Sequence, residues 1–269
     1  MKPMTAEIEP LVSGTAPFFE GYQPRWIDRL AARMERGRLP YAVTCILLIV
    51  LEFALIHAIS WFDGITPFPR LQPVFINPPR WTWGSLGLII YLDRKSVEAL
   101  RRFGPLLDLD EVSPRQLEAR LTTMPAWPII LINIFFVLFF LVLVFLVPIK
   151  VIDLFRGHGL TLLILSAAIS FLFGSSFYYH ALHQMRIVGQ IHDIARPFDL
   201  FDREPIHAFA KVTASTSIAL MFFLLSNLIV AVPLHALDIG VIIFELIGVP
   251  LALLAFVTPL WGAHTRLVS

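Results

Sequence analysis

Long apolar runs dominate this chain and limit what it can fold into. About six mostly hydrophobic stretches alternate with polar passages. In helical form, roughly 20 apolar residues cross the ~30 Å hydrocarbon core of a bilayer. Of the whole chain, 57% of residues are hydrophobic and 15% are charged, whereas soluble domains average roughly 45–50% and 25%. The sequence therefore predicts an all-α, polytopic helical membrane protein.

The predicted membrane domain is a single unit at residues 41–263. Its transmembrane helices are expected at about 41–62, 81–92, 128–149, 160–179, 208–233 and 239–263. The segment 81–92 is the shortest, since 12 residues of helix cover only ~18 Å. By length alone it could be a re-entrant segment. The prolines between Asp63 and Arg80 predict an extended loop before it.

The distribution of positive charge favours six spans over five. Cytoplasmic loops of membrane proteins carry an excess of Lys and Arg. With six spans, 17 of the 21 Lys and Arg residues fall on the side that holds both termini, and 4 fall on the other. Without the span at 81–92, the better orientation divides them only 13 to 8. Both termini are therefore predicted to be cytoplasmic.

Two polar passages, 93–127 and 180–207, are predicted to be cytoplasmic helical connectors. In the first, a helical stripe of Val97, Leu100 and Phe103 continues out of the second span until Gly104-Pro105 ends it. A second short helix is expected from Ser113, because Ser-Pro-Arg-Gln gives a capping box with proline at the first helical position. In the second passage, apolar positions continue at helical spacing, so the fourth helix is expected to project ~24 Å from the membrane.

Residues 1–40 are predicted to form a cytoplasmic N-terminal segment with a basic amphipathic helix. One face of this helix carries Arg25, Arg29, Arg33 and Arg36, and another carries Trp26, Ile27, Leu30 and Met34. Such a helix can lie on an anionic inner leaflet, which makes anionic lipid a candidate partner. It can equally be a solvated helix that packs on its own protein, and the sequence leaves both interpretations open.

Ionisable residues inside predicted spans are candidate functional groups. They are Glu52 and His57 in the first span and Glu245 in the sixth. Glu52 and Glu245 lie at similar predicted depths, so the two carboxyl groups could meet and relay protons or bind a cation. Glu52 and His57 are five residues apart, about 140° around the helix, and do not share a face.

The fourth span also carries a strip of small residues. Ser166, Ser170 and Gly174 recur at every fourth position, a spacing that lets another helix approach closely. We expect the polar inner half of the fifth span, residues 213–217, to provide the matching surface.

No pattern in the chain predicts catalysis, a metal site or a cofactor. The sequence contains neither HExxH nor GxSxG, which mark zinc proteases and serine hydrolases. Among the histidines, His180 and His183 share a helical face, and we interpret them as ordinary residues of a helix interface. A net charge of +1 implies no nucleic-acid partner.

Three phrases of the chain resemble an uncharacterised family of bacterial multi-spanning membrane proteins. They are RPFDLFDREPIHAFAKVTA at residues 196–214, YLDRKSVEALRRFGPLLDLDE at 91–111 and LTTMP at 121–125. The resemblance implies an integral protein of a bacterial cytoplasmic (inner) membrane and brings no activity or cofactor.

The sequence favours a non-enzymatic integral membrane protein that acts as a sensor, scaffold or accessory subunit. Because no output domain is evident, such a protein would act on a protein partner or on a second copy of itself. The alternative is a small ion or proton-coupled channel or transporter that uses Glu52 and Glu245.

Overall fold

The regular structure is helical wherever it is described, as the sequence predicts. The computed structural model describes residues 26–104, 107, 113–146, 158–193, 211–222 and 225. Its main helices are α1 Trp26–Glu35, α2 Tyr41–Phe62, α3 Asn77–Pro79, α4 Ser85–Phe103, α5 Pro114–Thr122, α6 Ala126–Leu146 and α7 His158–Asp193, and residues 211–222 are also helical. The predicted sixth span, half of the fifth, Glu245 and Arg25 lie outside the described residues.

Several helix ends follow directly from local sequence. Helix α2 has the predicted bounds and is followed by Gly64, whose positive φ of 68° suits glycine. Helix α4 ends at Phe103, as predicted. Helix α5 begins with Pro114 at its first position, and the Ser113 N–H donates to Gln116 Oε1 at 3.4 Å. The predicted capping box is thus confirmed.

The helix of the second predicted span is much longer than expected. Pro73–Ile76 forms a 3₁₀ turn, and α3, a turn of π-helix at Arg80–Gly84 and α4 then follow without a break. The predicted extended loop up to Arg80 is therefore wrong from Pro73 onward. Prolines at the first helical positions lose no hydrogen bond, so Pro78 and Pro79 begin this helix. Residues 77–103 form a rod roughly 40 Å long.

Helix α7 is the central helix of the described part. Its 36 residues correspond to ~54 Å, and it packs against α2, α4, α5, α6 and the π-helical turn. The helix is continuous from the predicted fourth span into the predicted connector, as the apolar periodicity indicates.

Three apolar clusters follow one another along α7. The first joins Ile56 and Phe75 with Leu162 near the start of α7. The central cluster joins α1, α2, α4, α7 and part of the 211–222 helix. The third joins the last turns of α4 and α7 with α5, through residues such as Phe103, Leu121 and Ile191. The far ends of α4 and α7 thus have a core of their own.

Helix α1 packs on its own protein, as one of the two interpretations of the sequence predicts, and a contact of its arginines with anionic lipid stays a prediction. Ile27, Ala31 and Met34 are buried in the central cluster, and the Trp26 ring meets Phe173 edge to face at 5.2 Å between centroids. The apolar face is therefore not available to enter a bilayer. Arg29 and Arg33 of α1, and Arg36 directly after it, are exposed.

Two helical stretches in the described part are long and apolar enough to cross a membrane, by length and composition. They are Tyr41–Phe62 and Pro114–Phe139, the second of which includes α5 and the first part of α6. In the most apolar part of each, only 17% and 22% of residues are buried. Core helices of soluble proteins are mostly buried, so these two stretches present unusually large apolar surfaces.

Candidate functional site: buried polar groups along α7

Helix α7 meets its neighbours through polar side chains at three levels. Ser166 and Ser170 lie in its first half, Ser175 and Ser176 in its middle, and His180 and Gln184 in its second half. All six are buried. A buried polar group costs stability unless it is hydrogen-bonded. The hydrogen-bond partners at each level therefore show which helices that level joins.

At the first level, the Glu52 carboxylate joins three elements. The Trp83 Nε1–H donates to Glu52 Oε2 at 2.7 Å, and the Ser166 hydroxyl donates to Glu52 Oε1. Trp83 belongs to the π-helical turn and Ser166 to α7, so one carboxylate ties α2 to both. Both carboxylate oxygens are used in interhelical hydrogen bonds.

The small-residue strip of α7 packs against the start of the second long helix. The Ser170 hydroxyl lies 2.8 Å from the Pro78 carbonyl oxygen and 3.2 Å from the Thr82 hydroxyl. A Cβ added at Gly174 would lie 2.9 Å from Cε3 of Trp81. The small residues therefore let α7 and the second long helix approach closely here, as the spacing predicts. One surface that meets the strip is Pro78–Thr82, and a contact with residues 213–217 of the expected fifth span stays a prediction.

His57 closes the loop that follows α2. Its Nε2 accepts the Gln72 N–H at 2.8 Å, so the proton lies on Nδ1, which donates to the Phe53 carbonyl at 2.9 Å. The ring also contacts Phe75. Glu52 and His57 share no partner in these contacts, in agreement with the angle between them on the helix. His57 has a structural contact at both nitrogens and no free position for a ligand.

At the middle level, Asn133 links α6 to α7. Its side-chain oxygen accepts hydrogen bonds from the Ser175 and Ser176 hydroxyls at 2.7 and 3.1 Å. Asn133 is the polar residue of an otherwise apolar helix, and the structure uses it to orient α6 on α7.

At the third level, Asp93, His180 and Gln184 form a buried polar cluster, which we call the Asp93 cluster. His180 Nε2 lies 2.7 Å from Asp93 Oδ1, and the Gln184 amide donates to the same oxygen at 2.9 Å. His180 is fully buried and the Asp93 side chain keeps 21% of its exposure. The cluster therefore joins α4 and α7 at the boundary between the predicted spans and connectors.

Two acids support a protonated His180. Burial lowers the pKa of this imidazole, but the Asp93 carboxylate and, more weakly, Asp28 of α1 outweigh burial and raise it above its ordinary value of 6.5. Burial raises the pKa of Asp93, while His180 opposes that rise. We assign the pair as an imidazolium that donates to a carboxylate, because the 2.7 Å contact suits a charge-assisted hydrogen bond.

The Asp93 cluster also holds α5. The Gln184 amide donates to the Leu121 carbonyl at 3.1 Å, and His183 Nε2 donates to the Arg120 carbonyl at 3.2 Å. Burial lowers the pKa of His183 to about 4, with a smaller contribution from His180, so His183 is neutral near pH 7. Both side chains donate to backbone carbonyls in the last turn of α5, where the carbonyl groups have no partner within the helix.

Sequence reasoning missed the Asp93 cluster. The sequence pattern places Asp93 only at the start of the first connector, and His180 only at a helix interface. One signal was available: an acid immediately after one span and a histidine immediately after another lie at similar depths. By contrast, Glu245 lies outside the described residues, so its meeting with Glu52 stays a prediction.

The described residues do not bring three His, Cys, Asp or Glu side chains close enough together to hold a metal ion. Comparisons with protein-family models, with curated proteins and with solved structures give no match to this chain. The resemblance to a family of bacterial multi-spanning proteins stays a prediction.

Proposed function

We propose that the chain is an integral membrane protein of six spans that acts as a non-enzymatic sensor, scaffold or accessory subunit. Both termini are cytoplasmic in this proposal, and the membrane is the cytoplasmic membrane of a bacterium. The partner is another protein or a second copy of the chain, with anionic lipid at the cytoplasmic face.

The observation that carries this proposal is the separation of two kinds of surface. Helices α2 and α6 expose large apolar side chains, among them Leu51 at 65% and Phe135 at 62%. Such a continuous apolar surface needs a lipid or protein neighbour. Exposed basic residues lie instead on α1 and directly after it, on α5, and in the last turns of α4 and α7. They are Arg29, Arg33, Arg36, Arg101, Arg102, Arg115 and Arg186.

The polar groups in the predicted spans favour a packing role over transport. Both oxygens of Glu52 accept hydrogen bonds from neighbouring helices, and Asn133 and Ser170 are likewise bonded between helices. A transport site needs polar groups that face the substrate. These groups face one another, so their main effect is to fix helix positions.

Cysteine labelling tests the proposed topology. In a Cys45→Ala background, Leu39→Cys before α2 and Leu71→Cys after it place a thiol at two exposed positions without changing charge. We expect a membrane-impermeant maleimide to label Leu71→Cys in intact cells and Leu39→Cys only after permeabilisation. Labelling of both sites from outside, or of neither, would contradict the topology.

Native purification tests the scaffold function. Extraction in a mild detergent, followed by native mass spectrometry, should recover the chain with a second chain or as a homo-oligomer. Recovery as a lone monomer from both detergent and lipid nanodiscs would contradict a function that requires a partner.

Glu52→Gln separates packing from transport. The amide keeps one acceptor oxygen but loses the second, so we expect a loss of about 1–2 kcal/mol in stability. Proteoliposomes should show no proton or cation flux for either protein. The matched control is Ser166→Ala, which removes one donor to the same carboxylate and should have a similar effect. A wild-type flux that Glu52→Gln abolishes would instead establish the channel or transporter function.

A further inference from the structure

The Asp93 cluster contains more unsatisfied polar groups than a purely structural contact needs. Nδ1 of His180 and Oε1 of Gln184 have no hydrogen-bond partner among the described residues, although His180 and Gln184 are 0% and 1% exposed. A buried polar atom without a partner costs stability. Because His180 Nε2 is directed at Asp93, the proton that His180 gains or loses is the one on Nδ1.

We propose that Asp93, His180 and Gln184 form a proton-binding site that senses cytoplasmic pH and controls how firmly α5 is held against α4 and α7. This inference rests on the proposed sensor function and names its signal, the proton. The output of the sensor is the position of α5.

The geometry couples the proton to α5 through one side chain. The Gln184 amide donates to both Asp93 and the Leu121 carbonyl, so its position depends on the charge state of the acid. When His180 loses its proton, the Asp93 carboxylate loses its counter-charge in a mostly buried position. A buried carboxylate without a counter-charge favours the entry of water, and water at this point separates α5 from α4 and α7.

Among the described residues, His180 is the basic group that acts on Asp93. On α1, Asp28 acts on His180 and Glu35 acts on Asp93, and both are acids. The basic groups Arg120 and Arg186 act on His183. Helix α6 carries no titratable residue.

The sign of the pH dependence follows from the folded state. Since the pKa of His180 is raised above 6.5, its stabilising contribution is complete below that value and is lost as the pH rises through the folded pKa. The connector is thus held at mildly acidic pH and released at alkaline pH.

Distance measurements between spin labels test the proposal in nanodiscs. Labels on Arg101→Cys in α4 and Arg115→Cys in α5, both exposed, are placed in the Cys45→Ala background. We expect a narrow distance distribution at about pH 6 and a broader one at about pH 9. His180→Gln should remove the pH dependence because the titrating group is gone, and Asp93→Asn should remove the release at alkaline pH because no carboxylate is left without a counter-charge. Glu98→Gln, which removes an exposed acid of α4 outside the cluster, should leave the midpoint unchanged.

Two results would overturn the proposal: a distribution that does not change with pH, or a transition that persists in His180→Gln. If that variant does not fold, the carbon resonances of His180 in the wild-type protein give the answer instead, and a midpoint at or below 6.5 contradicts the site. Failure of the topology would appear separately, as labelling of Leu39→Cys from outside, and would leave the titration intact.

Discussion

Gly174→Ala is expected to destabilise the protein by about 1–3 kcal/mol, although glycine to alanine within a helix usually adds up to about 1 kcal/mol of stability. The new Cβ would lie 2.9 Å from Cε3 and 3.1 Å from Cζ3 of Trp81. These atoms cannot move cheaply, because Trp81 belongs to the π-helical turn and stacks on Tyr178. A larger residue such as leucine should prevent the contact between α7 and this turn.

Gly189→Ala is the matched control on the same helix. No described atom lies within 4 Å of a Cβ added there, so this change should leave stability unchanged or raise it. Thermal unfolding in detergent, followed by tryptophan fluorescence, compares the two variants. Equal midpoints for Gly174→Ala and Gly189→Ala would show that α7 does not approach the turn as closely as described.

Asp93→Ala should cost about 3 kcal/mol or more in stability, since removal of one member of a buried ion pair leaves the other without a partner. His180 is fully buried and would lose the acceptor at Nε2, and Gln184 would lose one of its two acceptors. The damage should include α5, because Gln184 also binds the Leu121 carbonyl.

Glu98→Ala is the control for this effect. Glu98 lies five residues further along α4, is exposed, and pairs with Lys95 and Arg102 at 3.1 and 2.6 Å. Exposed ion pairs contribute roughly 0–1 kcal/mol, so the two substitutions remove the same charge from the same helix with very different expected results. Chemical unfolding curves measure both. If Glu98→Ala lowers the stability as much as Asp93→Ala, burial does not explain the contribution of Asp93 to stability.

Features with a local cause could be predicted from the sequence. The bounds of α2, the end of α4 at Phe103 and the capped start of α5 at Ser113 depend on residues within one or two helical turns. The continuation of α7 into the connector follows from apolar periodicity over a few turns. Such features need no knowledge of which helices are neighbours.

The helix start at Asn77 and the polar contacts could not be predicted in the same way. Consecutive prolines are compatible with an extended loop or with the first turn of a helix, and only packing against α7 distinguishes the two. Asp93 and His180 are 87 residues apart, and Glu52 and Ser166 are 114 apart. Hydrophobic periodicity gives the face of a helix but not the residue that it meets.

Within one continuous helix, the π-helical turn at Arg80–Gly84 changes the direction in which the side chains before it point, relative to the side chains after it. A π-helix closes its hydrogen bonds at i→i+5 and appears in helices as a single-turn bulge, so one residue more is accommodated than in an α-helical turn. Deletion of a single residue there would restore an α-helical turn without breaking the helix. Asp93 would keep its place beside His180, but Trp81 and Thr82 would rotate by about 100° away from the α7 strip. Related chains that lack this residue should therefore carry a different set of side chains at positions 52, 170 and 174.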